Sequence, residues 1–409
     1  MKVLVIKATY PFPLNTGGSV VAYNNIKSLS DVADIHLICL GRPDQRGDVA
    51  SLVNRLDIVE RKKISRLRQL ARYAIYASLG IPPTVAVHSS AEMRSKVRQA
   101  IEREDFDVIL VYEMSGIQYC PTCALHKMVA NVEDPQALKL RKSASLSTWT
   151  RWQRIKMAIS AFITERYERR IFPRIGQILL LSENDAAALR DSLVNAKVSA
   201  IPYGVDRRED TDILDYSARV AGSIIFSGNM FHPTNVDAIL HFIDRIFPKI
   251  LASYPAARLW IVGAEPRAKI LEASSRFGPS VIVTGKVADV SHYIRQSMVS
   301  ICPVRLDIGV QTKVLEALSW GTPVVSTSAG NSGIQGISGR HLWVEDEPEH
   351  FADKVCSLLY GQRWQEFSES GREFSQAQFS WARSATELQR HLAAIAEVEN
   401  SGGETQVRR

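Results

Sequence analysis

The stretch Val299–Val325, VSICPVRLDIGVQTKVLEALSWGTPVV, predicts a strand, a loop, a helix and the start of a second strand. Residues 299–304 are apolar and rich in β-branched side chains, whereas Thr312–Ser319 has its apolar residues at helical spacing. A Gly-Thr-Pro triplet at 321–323 ends that helix before the next apolar run begins. Because the loop follows the carboxyl end of a strand, where open parallel sheets bind ligands, we expect a binding site there.

Two charged residues of this helix are candidates for that site. Lys313 and Glu316 are three residues apart, so they share a helix face. Both lie in the first turns, where unpaired N–H groups and the helix dipole attract anions. A phosphate and a sugar hydroxyl would fit there together, although a solvated Lys–Glu pair is the alternative interpretation.

The segment GVQTKVLEALSWGTPVVST, residues 309–327, resembles the donor-site segment of the retaining GT-B glycosyltransferases, the nucleotide-sugar enzymes similar to family 4. The resemblance implies that Glu316 holds the ribose hydroxyls of the nucleotide. Many members carry another Glu eight residues earlier, where this chain has Ile308. Lys313 and the loop of Gly309, Val310 and Gln311 match a branch of the family, so we expect this loop to bind the donor.

Length and composition indicate a two-domain globular protein. The chain has 409 residues, of which 45% are hydrophobic and 23% charged, and no apolar run is long enough to cross a bilayer. The start, MKVLVIKATYPF, is interpreted as a first strand and not as a signal peptide, which predicts a cytoplasmic protein. Five scattered cysteines argue against a disulfide framework, and the Cys120–Cys123 pair lacks partners that would complete a zinc site.

The amino-terminal half alternates predicted strands and helices, which is typical of a parallel sheet covered by helices. Gly17 and Gly18 follow the first strand and open a helix, which allows a ligand to approach the backbone, although a tight turn is equally consistent. A dinucleotide fingerprint is absent from the sequence, because the glycine pair comes late and the second strand ends in Gly-Arg-Pro. The resemblance implies that Gly17 and Gly18 face the donor phosphates.

Further polar residues follow predicted strand ends of this half and are candidates to line the same cleft, with surface turns as the alternative. They are Glu113, Asn131, Glu133 and Asp134. Family members often have a His in this region, where this chain has Asn131, with His126 several residues upstream. No catalytic His is assigned.

The segment IPYGVD at 201–206 resembles the family's hinge, and the charged run 207–219 after it suits a linker. We therefore predict domains at 1–203 and 204–380, a helix at 381–398 crossing back to the first domain, and a disordered tail at 399–409. In the second domain, each of three strands ends in a glycine. These glycines, Gly228, Gly263 and Gly285, permit a nucleotide to lie across the strand ends, although tight turns would also explain them. We expect Gly228, Asn229, Gly263 and Lys286 to bind the donor.

These observations predict an α/β protein of the GT-B class, with two facing Rossmann-like doubly wound domains and a cleft between them. The expected activity is transfer of a sugar, with retention, from a nucleotide-sugar to a glycan or lipid-linked acceptor in cell-surface polysaccharide or glycolipid assembly. Lys313, Glu316 and Arg305 are the expected catalytic residues, and fixed cationic groups make a metal or other cofactor dispensable. The alternatives are a sugar-nucleotide epimerase of the same fold and a catalytically silent sugar-nucleotide-binding partner.

Positive charge is concentrated in two segments. Residues 139–174 contain ten Lys and Arg against Glu165 and Glu168, while the whole chain carries a net charge of +7. A second basic run at 61–72 is interleaved with aliphatic residues, and the first run contains Trp149, Trp152 and Phe162. Basic groups beside apolar ones are typical of an interfacial helix, whereas no nucleic-acid motif accompanies them. We expect peripheral binding at the anionic inner face of the cytoplasmic membrane, with a solvated basic face as the alternative.

Overall fold

The structure, a computed structural model, describes residues 1–14, 16–42, 47–61, 65–146 and 149–406. The chain divides into two compact units. Unit 1 comprises residues 1–141, 155–202 and the chain from Trp381 onward, and unit 2 comprises residues 142–154 and 203–380. This division falls within one residue of the predicted boundary at 203, but residues 142–154 belong to unit 2 although the sequence placed them in the first domain.

Unit 1 contains one parallel sheet of seven strands, in the order β3-β2-β1-β4-β5-β6-β7. The strands are β1 (Lys2–Lys7), β2 (Asp34–Gly41), β3 (Arg55–Glu60), β4 (Val108–Tyr112), β5 (Met128–Glu133), β6 (Gln177–Leu180) and β7 (Val198–Ala200). The helices up to residue 192 are α1 (Gly17–Leu29), α2 (Arg66–Ser78), α3 (Pro83–Ala86), α4 (Ala91–Arg103), α5 (Glu113–Ile117), α6 (Gln136–Ser143), α7 (Arg151–Ile171) and α8 (Glu183–Ser192), with 3₁₀ turns at Asp48–Leu52, Thr122–Lys127 and Phe172–Arg174.

The strand order of unit 1 reverses between β1 and β4, which pair side by side. In β1, every residue after Lys2 is buried, because the strand lies at the centre of a sheet covered on both faces. Lys7 is the last residue of β1 and pairs with Tyr112, the last residue of β4. The crevice at this reversal therefore lies beside Lys7, at the carboxyl ends of the two strands.

Unit 2 contains a second parallel sheet, of six strands, in the order β10-β9-β8-β11-β12-β13. The strands are β8 (Val220–Ser227), β9 (Arg258–Val262), β10 (Val281–Gly285), β11 (Ser297–Cys302), β12 (Val324–Ser326) and β13 (Trp343–Val344). The helices are α9 (Pro233–His241), α10 (Phe247–Ser253), α11 (Ala268–Ser275), α12 (Val290–Gln296), α13 (Thr312–Ser319), α14 (Ser328–Asn331), α15 (Pro348–Leu359) and α16 (Trp364–Gln378), with a π-helical turn at Phe242–Ile246 and 3₁₀ turns at Asp210–Asp212, Tyr216–Ala218 and Gly278–Ser280.

The order of unit 2 repeats that of unit 1 and reverses between β8 and β11. The stretch that predicted the fold supplies β11, α13 and β12, and α13 has the bounds expected from its spacing. Two parallel, helix-covered sheets confirm the predicted fold class. The crevice of unit 2 lies where β8 and β11 end, beside the amino-terminal end of α13.

The last helix, α17 (Trp381–Gln406), belongs to unit 1 and packs on α1 and on the sheet near β4 and β5. Leu388 and Leu392 are fully buried, and the Gln389 side chain donates to the Ser28 carbonyl. Since α17 continues to Gln406, residues 399–406 of the predicted disordered tail are helical; no proline interrupts them. Residues 407–409 of that predicted tail lie outside the described residues.

The charged run 207–219 was expected to be a linker, but its last residue, Arg219, is buried in the core of unit 2. Arg219 is 5% exposed, and its guanidinium donates to Thr322 Oγ1 at 2.7 Å and to the Ser297 carbonyl at 2.8 Å. It also lies over the Trp364 ring, 4.6 Å from the centroid. This arginine therefore joins the run to strand β11 and to the end of α13, a role that its polar sequence context concealed.

Candidate functional site

The strand ends of unit 2 are drawn together by two glycines. The Gly228 N–H donates to the Val262 carbonyl at 3.0 Å, and the Gly263 N–H donates to the Gly285 carbonyl at 3.2 Å. A Cβ on Gly263 would overlap the Gly228 carbonyl oxygen, and both residues have φ in a range that favours glycine. Close packing of neighbouring strands thus explains Gly228 and Gly263, and their contact with a donor stays a prediction.

Lys313 projects from α13 to the carboxyl end of β8. Its ammonium group donates to the Asn235 Oδ1 atom at 2.6 Å and lies 4.4 Å from the centroid of the Phe226 ring. A Cβ on Gly228 would lie 3.4 Å from the ammonium nitrogen, so a side chain at that position would crowd it. Burial lowers the pKa of Lys313, with the nearby Cys302 and Glu316 acting in the opposite direction. The structure therefore places a buried amine at the switch point of the sheet.

Glu316 follows Lys313 by three residues on α13, as the sequence predicted, and its side chain is half-buried. Burial raises the pKa of Glu316 to about 7, and the positive charges of Lys313 and Arg208 oppose that rise. Arg208 stacks over the Trp320 ring, 4.0 Å from its centroid. A hydrogen-bond acceptor thus lies beside the buried amine.

The loop before α13 has a fixed backbone. Gly309 has φ of +68°, and a Cβ on Gly333 would overlap the Gly309 carbonyl oxygen, so the loop packs closely against residue 333. Gln311 is the N-cap residue of α13, and its side chain makes no capping hydrogen bond. The first-turn N–H groups are therefore not occupied by a side-chain cap, which suits an anion. Donor binding by Gly309, Val310 and Gln311 stays a prediction.

Arg305 does not join Lys313. Its guanidinium makes two parallel hydrogen bonds to the Asp237 carboxylate, at 2.9 and 2.7 Å, and Asp237 is 2% exposed. Because Asn235 and Asp237 are two residues apart on α9, they project from opposite sides of that helix, so Lys313 and Arg305 contact different faces of it. Asp237 also neutralises the charge of Arg305, and this geometry does not favour the catalytic role predicted for it.

Two further predicted donor residues differ in their surroundings. The side-chain oxygen of Asn229 accepts from the Phe231 N–H at 2.8 Å, and the backbone carbonyl of Asn229 accepts from the Asn235 side chain at 2.9 Å. Asn229 therefore shapes the turn after β8. Lys286 follows β10 directly and is exposed, so a ligand at the strand ends could reach its amine.

In unit 1, the glycine pair lies at the start of α1, as expected. Nothing lies within 4 Å of a Cβ built on Gly17, whereas a Cβ on Gly18 would overlap the Glu133 carboxylate. The Thr16 hydroxyl accepts from the Ser19 N–H at 3.2 Å and caps the helix. The space left by Gly18 is therefore filled by a side chain of the same unit, which the sequence analysis did not foresee.

A row of buried polar residues crosses three adjacent strands of unit 1 near their carboxyl ends. Lys7, Tyr112 and Asn131 pair in register across β1, β4 and β5. Lys7 is fully buried and donates to Glu113, which follows β4. Burial raises the pKa of Glu133 to about 7, with Lys7 opposing and Glu113 adding to the rise.

Glu113 and Glu133 have φ of +63° and +66°, an unusual conformation for residues other than glycine that is often retained at functional sites. The structure thus brings together Glu113, Asn131 and Glu133 within unit 1. His126 precedes β5 and lies at the opposite end of the strand from Glu133. Sequence reasoning missed Lys7, although a lysine at the end of an apolar strand was a visible signal.

Among the described residues, no group of three or more His, Cys, Asp or Glu side chains is arranged to hold a metal ion. All five cysteines are free, and only Cys123 is exposed. In the same part of the chain, no helix combines the length and apolar character that spanning a bilayer requires.

Comparison with known sequences relates unit 2 to one family. Residues 221–360 match the family model described as Glycosyl transferases group 1. A Klebsiella pneumoniae protein, described as an uncharacterized 44.6 kDa protein in the cps region, is 23% identical over 141 residues. The match covers 33% of this chain and 36% of that protein, so it spans about a third of the relative's length.

Comparison with solved structures covers nearly the whole chain. Sucrose-phosphate synthase from Thermosynechococcus elongatus has a TM-score of 0.70 at 15% identity and covers 97% of this chain and 99% of its own. Anabaena HepE in complex with UDP and glucose has a TM-score of 0.67 at 14% identity, with coverages of 96% and 100%. WaaG, a glycosyltransferase involved in lipopolysaccharide biosynthesis, has a TM-score of 0.64 at 12% identity, with coverages of 97% and 99%. The TM-scores show a likeness of fold, which is GT-B, and at these low identities they show the fold alone.

Proposed function

We propose that this protein, whose residues 221–360 match the family model described as Glycosyl transferases group 1, transfers a sugar from a nucleotide-sugar to a glycan or lipid-linked acceptor. The observation that carries the proposal is the pair on α13. Lys313 and Glu316 lie beside an uncapped helix N-terminus at the switch point of the sheet. That arrangement provides a cation for a diphosphate and an acceptor for ribose hydroxyls.

The reaction requires stabilisation of the negative charge that develops on the leaving nucleoside diphosphate. A buried amine is suited to this, because its interaction with charge is stronger away from water. Asn235 orients the Lys313 ammonium with one hydrogen bond and leaves its other protons for a ligand. Glu316 holds the nucleotide in place while the bond to the sugar breaks.

The proposed transfer retains the anomeric configuration. It also requires no metal, since Lys313 and the first-turn N–H groups of α13 take the charge that a metal would otherwise balance. Activity is expected to persist in a chelator. Loss of activity with EDTA, restored by a divalent cation, would contradict this assignment.

A role in cell-surface polysaccharide assembly, such as lipopolysaccharide or exopolysaccharide, is supported by the relative from a cps region and by the fold shared with WaaG. We place the protein at the cytoplasmic face of an anionic membrane. Two helices support that placement: α2 exposes Leu67, Leu70 and Ile75, and α7 exposes Trp152, Ile155, Ile159 and Phe162 on one face. Residues 62–64 of the predicted basic segment lie outside the described residues.

The first test is a thermal-shift screen of nucleotide-sugars against the full chain, because a ligand that binds the native state raises its Tm by mass action. A selective rise identifies the donor, and isotope-labelled donor then distinguishes the activities. Transfer of label to a lipid or glycan supports the proposal. Isomerisation of the donor would favour an epimerase, and binding without turnover would favour a silent partner.

A further inference from the structure

Two arginines of unit 2 lie over the ring of Trp320, the residue at the end of α13. The Arg208 guanidinium is 4.0 Å from the ring centroid, and the Arg295 guanidinium is 5.1 Å from it. Trp320 is 7% exposed, so both cations contact a buried aromatic surface. Within the described part of the chain, the Nε atoms of both arginines are buried and have no hydrogen-bond partner.

The backbone of Arg208 is tied to the end of α16 and the residues after it. The Gln376 side chain donates to the Arg208 carbonyl at 3.5 Å, and the Val205 N–H donates to the Phe379 carbonyl at 2.5 Å. One carboxylate lies near the guanidinium: Asp206 Oδ2 is 3.9 Å from the Arg208 Nη2 atom, and the Asp206 side chain is 66% exposed. Water screens such an exposed pair, so the charge of Arg208 still acts on other neighbouring groups.

Glu316 is one of those neighbours. Trp320 follows Glu316 by four residues, and the Trp320 N–H donates to the Glu316 carbonyl at 3.2 Å, so the two side chains share one face of α13. Burial has the largest effect on the pKa of Glu316 and raises it, whereas the charges of Lys313 and then Arg208 lower it. The guanidinium over Trp320 therefore favours the carboxylate form of Glu316.

Other titratable groups on the elements packed against α13 do not have this effect. They are Cys302 on β11, His292, Tyr293 and Arg295 on α12, and Glu366, Glu369, Arg372 and Glu373 on α16. Among the described residues, the charged groups that shift the pKa of Glu316 are Lys313 and Arg208. Arg295 acts instead on Arg219, whose pKa is lowered mainly by burial and further by the charge of Arg295. The two arginines on the Trp320 ring thus differ in the group that they influence.

We propose that Arg208 is a positioning residue of the donor site, which holds the Glu316 carboxyl group in its ionised form for the ribose hydroxyls of a nucleotide-sugar. The inference rests on the proposed glycosyl transfer and adds a residue from outside α13 to its donor site. In the proposed complex, the diphosphate of the donor balances the charge of Lys313. Of the two cations, Arg208 then remains to favour the carboxylate.

The pH dependence of donor binding tests the inference. The probes are UDP-glucose, GDP-mannose and ADP-glucose, and the one that raises the Tm of the full chain most is titrated by calorimetry between pH 5.5 and 9. Affinity for wild type should fall as pH falls through about 7. Arg208→Met removes the charge and keeps a long side chain, so the midpoint of that fall should move up by about one pH unit.

Two further variants separate charge from packing. Arg208→Lys restores the charge and is expected to return the midpoint towards that of wild type, although it loses the flat contact with the ring. Arg295→Met is the matched control, because it removes the other cation from the same ring and should keep the wild-type midpoint. The Tm of each variant without ligand confirms that it folds, and Arg208→Gln replaces Arg208→Met if the latter does not fold.

Three results would overturn the inference: an unmoved midpoint in the uncharged Arg208 variant, equal shifts in that variant and in Arg208→Lys, or an equal shift in Arg295→Met. The first two would mean that Arg208 acts by packing alone, and the third that any charge on the ring suffices. Each of them, with binding retained in wild type, would leave the proposed function standing. Absence of a Tm rise with every probe in wild type would reject the proposed function and this inference together.

Discussion

At the scale of single residues, burial and ligand binding favour opposite protonation states of the Glu316 carboxyl group. Burial favours its protonated form and raises its pKa to about 7, whereas holding ribose hydroxyls requires the carboxylate. Donor affinity should therefore fall as pH falls through 7. Glu316→Gln is expected to weaken donor binding about tenfold or more, because the amide accepts with one oxygen only. Calorimetric titration of the donor between pH 5.5 and 8.5 measures both effects.

The same substitution should act differently on stability. Since the folded-state pKa of Glu316 lies above that of the unfolded chain, its contribution to the free energy of unfolding declines as pH rises from about 4.5 through 7. Glu316→Gln removes that decline, so the variant should be at least as stable as wild type at pH 8. Glu272→Gln, an exposed residue of α11, is the control. Unchanged affinity in a folded Gln variant would remove Glu316 from the site.

Lys313 and Asn235 form a second residue-scale unit whose effect should be on turnover. If the amine acts mainly as the diphosphate departs, Lys313→Met should lower kcat about ten- to a hundredfold with a smaller change in donor Kd. Asn235→Ala, which removes the partner at 2.6 Å, should show the same pattern more weakly. Single-turnover kinetics with separate Kd measurements tests this, and a loss in binding as large as the loss in turnover would contradict it.

Sequence predicted the Lys313–Glu316 pair because both residues belong to one helix, where spacing fixes the shared face. It could not predict Asn235 as the lysine's partner, since the two are 78 positions apart in the chain and meet only in the folded unit 2. The Arg305–Asp237 pair was missed for the same reason. Local periodicity gives no information on such tertiary partners, and Arg305 therefore looked like an available cation.

At the scale of elements, the strand-end glycines of unit 2 have unequal importance. Gly263→Ala combines an unfavourable φ with overlap of the Gly228 carbonyl, whereas a Cβ on Gly285 meets nothing within 4 Å and carries only the φ cost. We expect Gly285→Ala to lower the free energy of unfolding by about 1–2 kcal/mol and Gly263→Ala by clearly more. Urea unfolding of both variants measures the difference. Equal losses would mean that the strand ends relax at no cost.

Elements whose apolar pattern extends over several residues were predicted well, and those whose ends depend on packing were not. Helix α13 has its expected bounds, whereas the predicted first strand ends at the buried Lys7. The polar composition of the run before β8 suggested a linker. The burial of Arg219 could not be predicted, because the carbonyl groups that accept its hydrogen bonds come from distant elements. A charge in a sequence does not indicate whether it is solvated or enclosed.

At the scale of the whole molecule, repetition of the strand order makes each unit a binding scaffold of its own. Each sheet reverses beside its first strand, so each has a switch point at the carboxyl ends of its strands. Alternation of strands and helices made this architecture predictable from the sequence. The polar row at the switch point of unit 1 was less visible, since Lys7, Tyr112 and Asn131 come from three separated strands.

The proposed binding to a membrane belongs to the same scale. The exposed apolar residues of α2 and α7 occur beside basic ones, so apolar insertion and attraction to anionic lipid should act together. Sedimentation with anionic vesicles should therefore decrease as salt rises, and neutral vesicles should bind weakly. Leu70→Gln/Ile75→Gln is expected to reduce binding about tenfold or more, because both side chains lose their transfer into the interface.

The matched control for that measurement is Val32→Gln/Val194→Gln, which replaces two exposed valines that lie outside both helices. If general surface hydrophobicity drives binding, the two double variants should lose affinity equally. If α2 docks as proposed, the control should bind like wild type while the α2 variant does not. Binding that is indifferent to salt, or equal for neutral and anionic vesicles, would reject electrostatic docking, because attraction between basic side chains and anionic head groups is screened by salt.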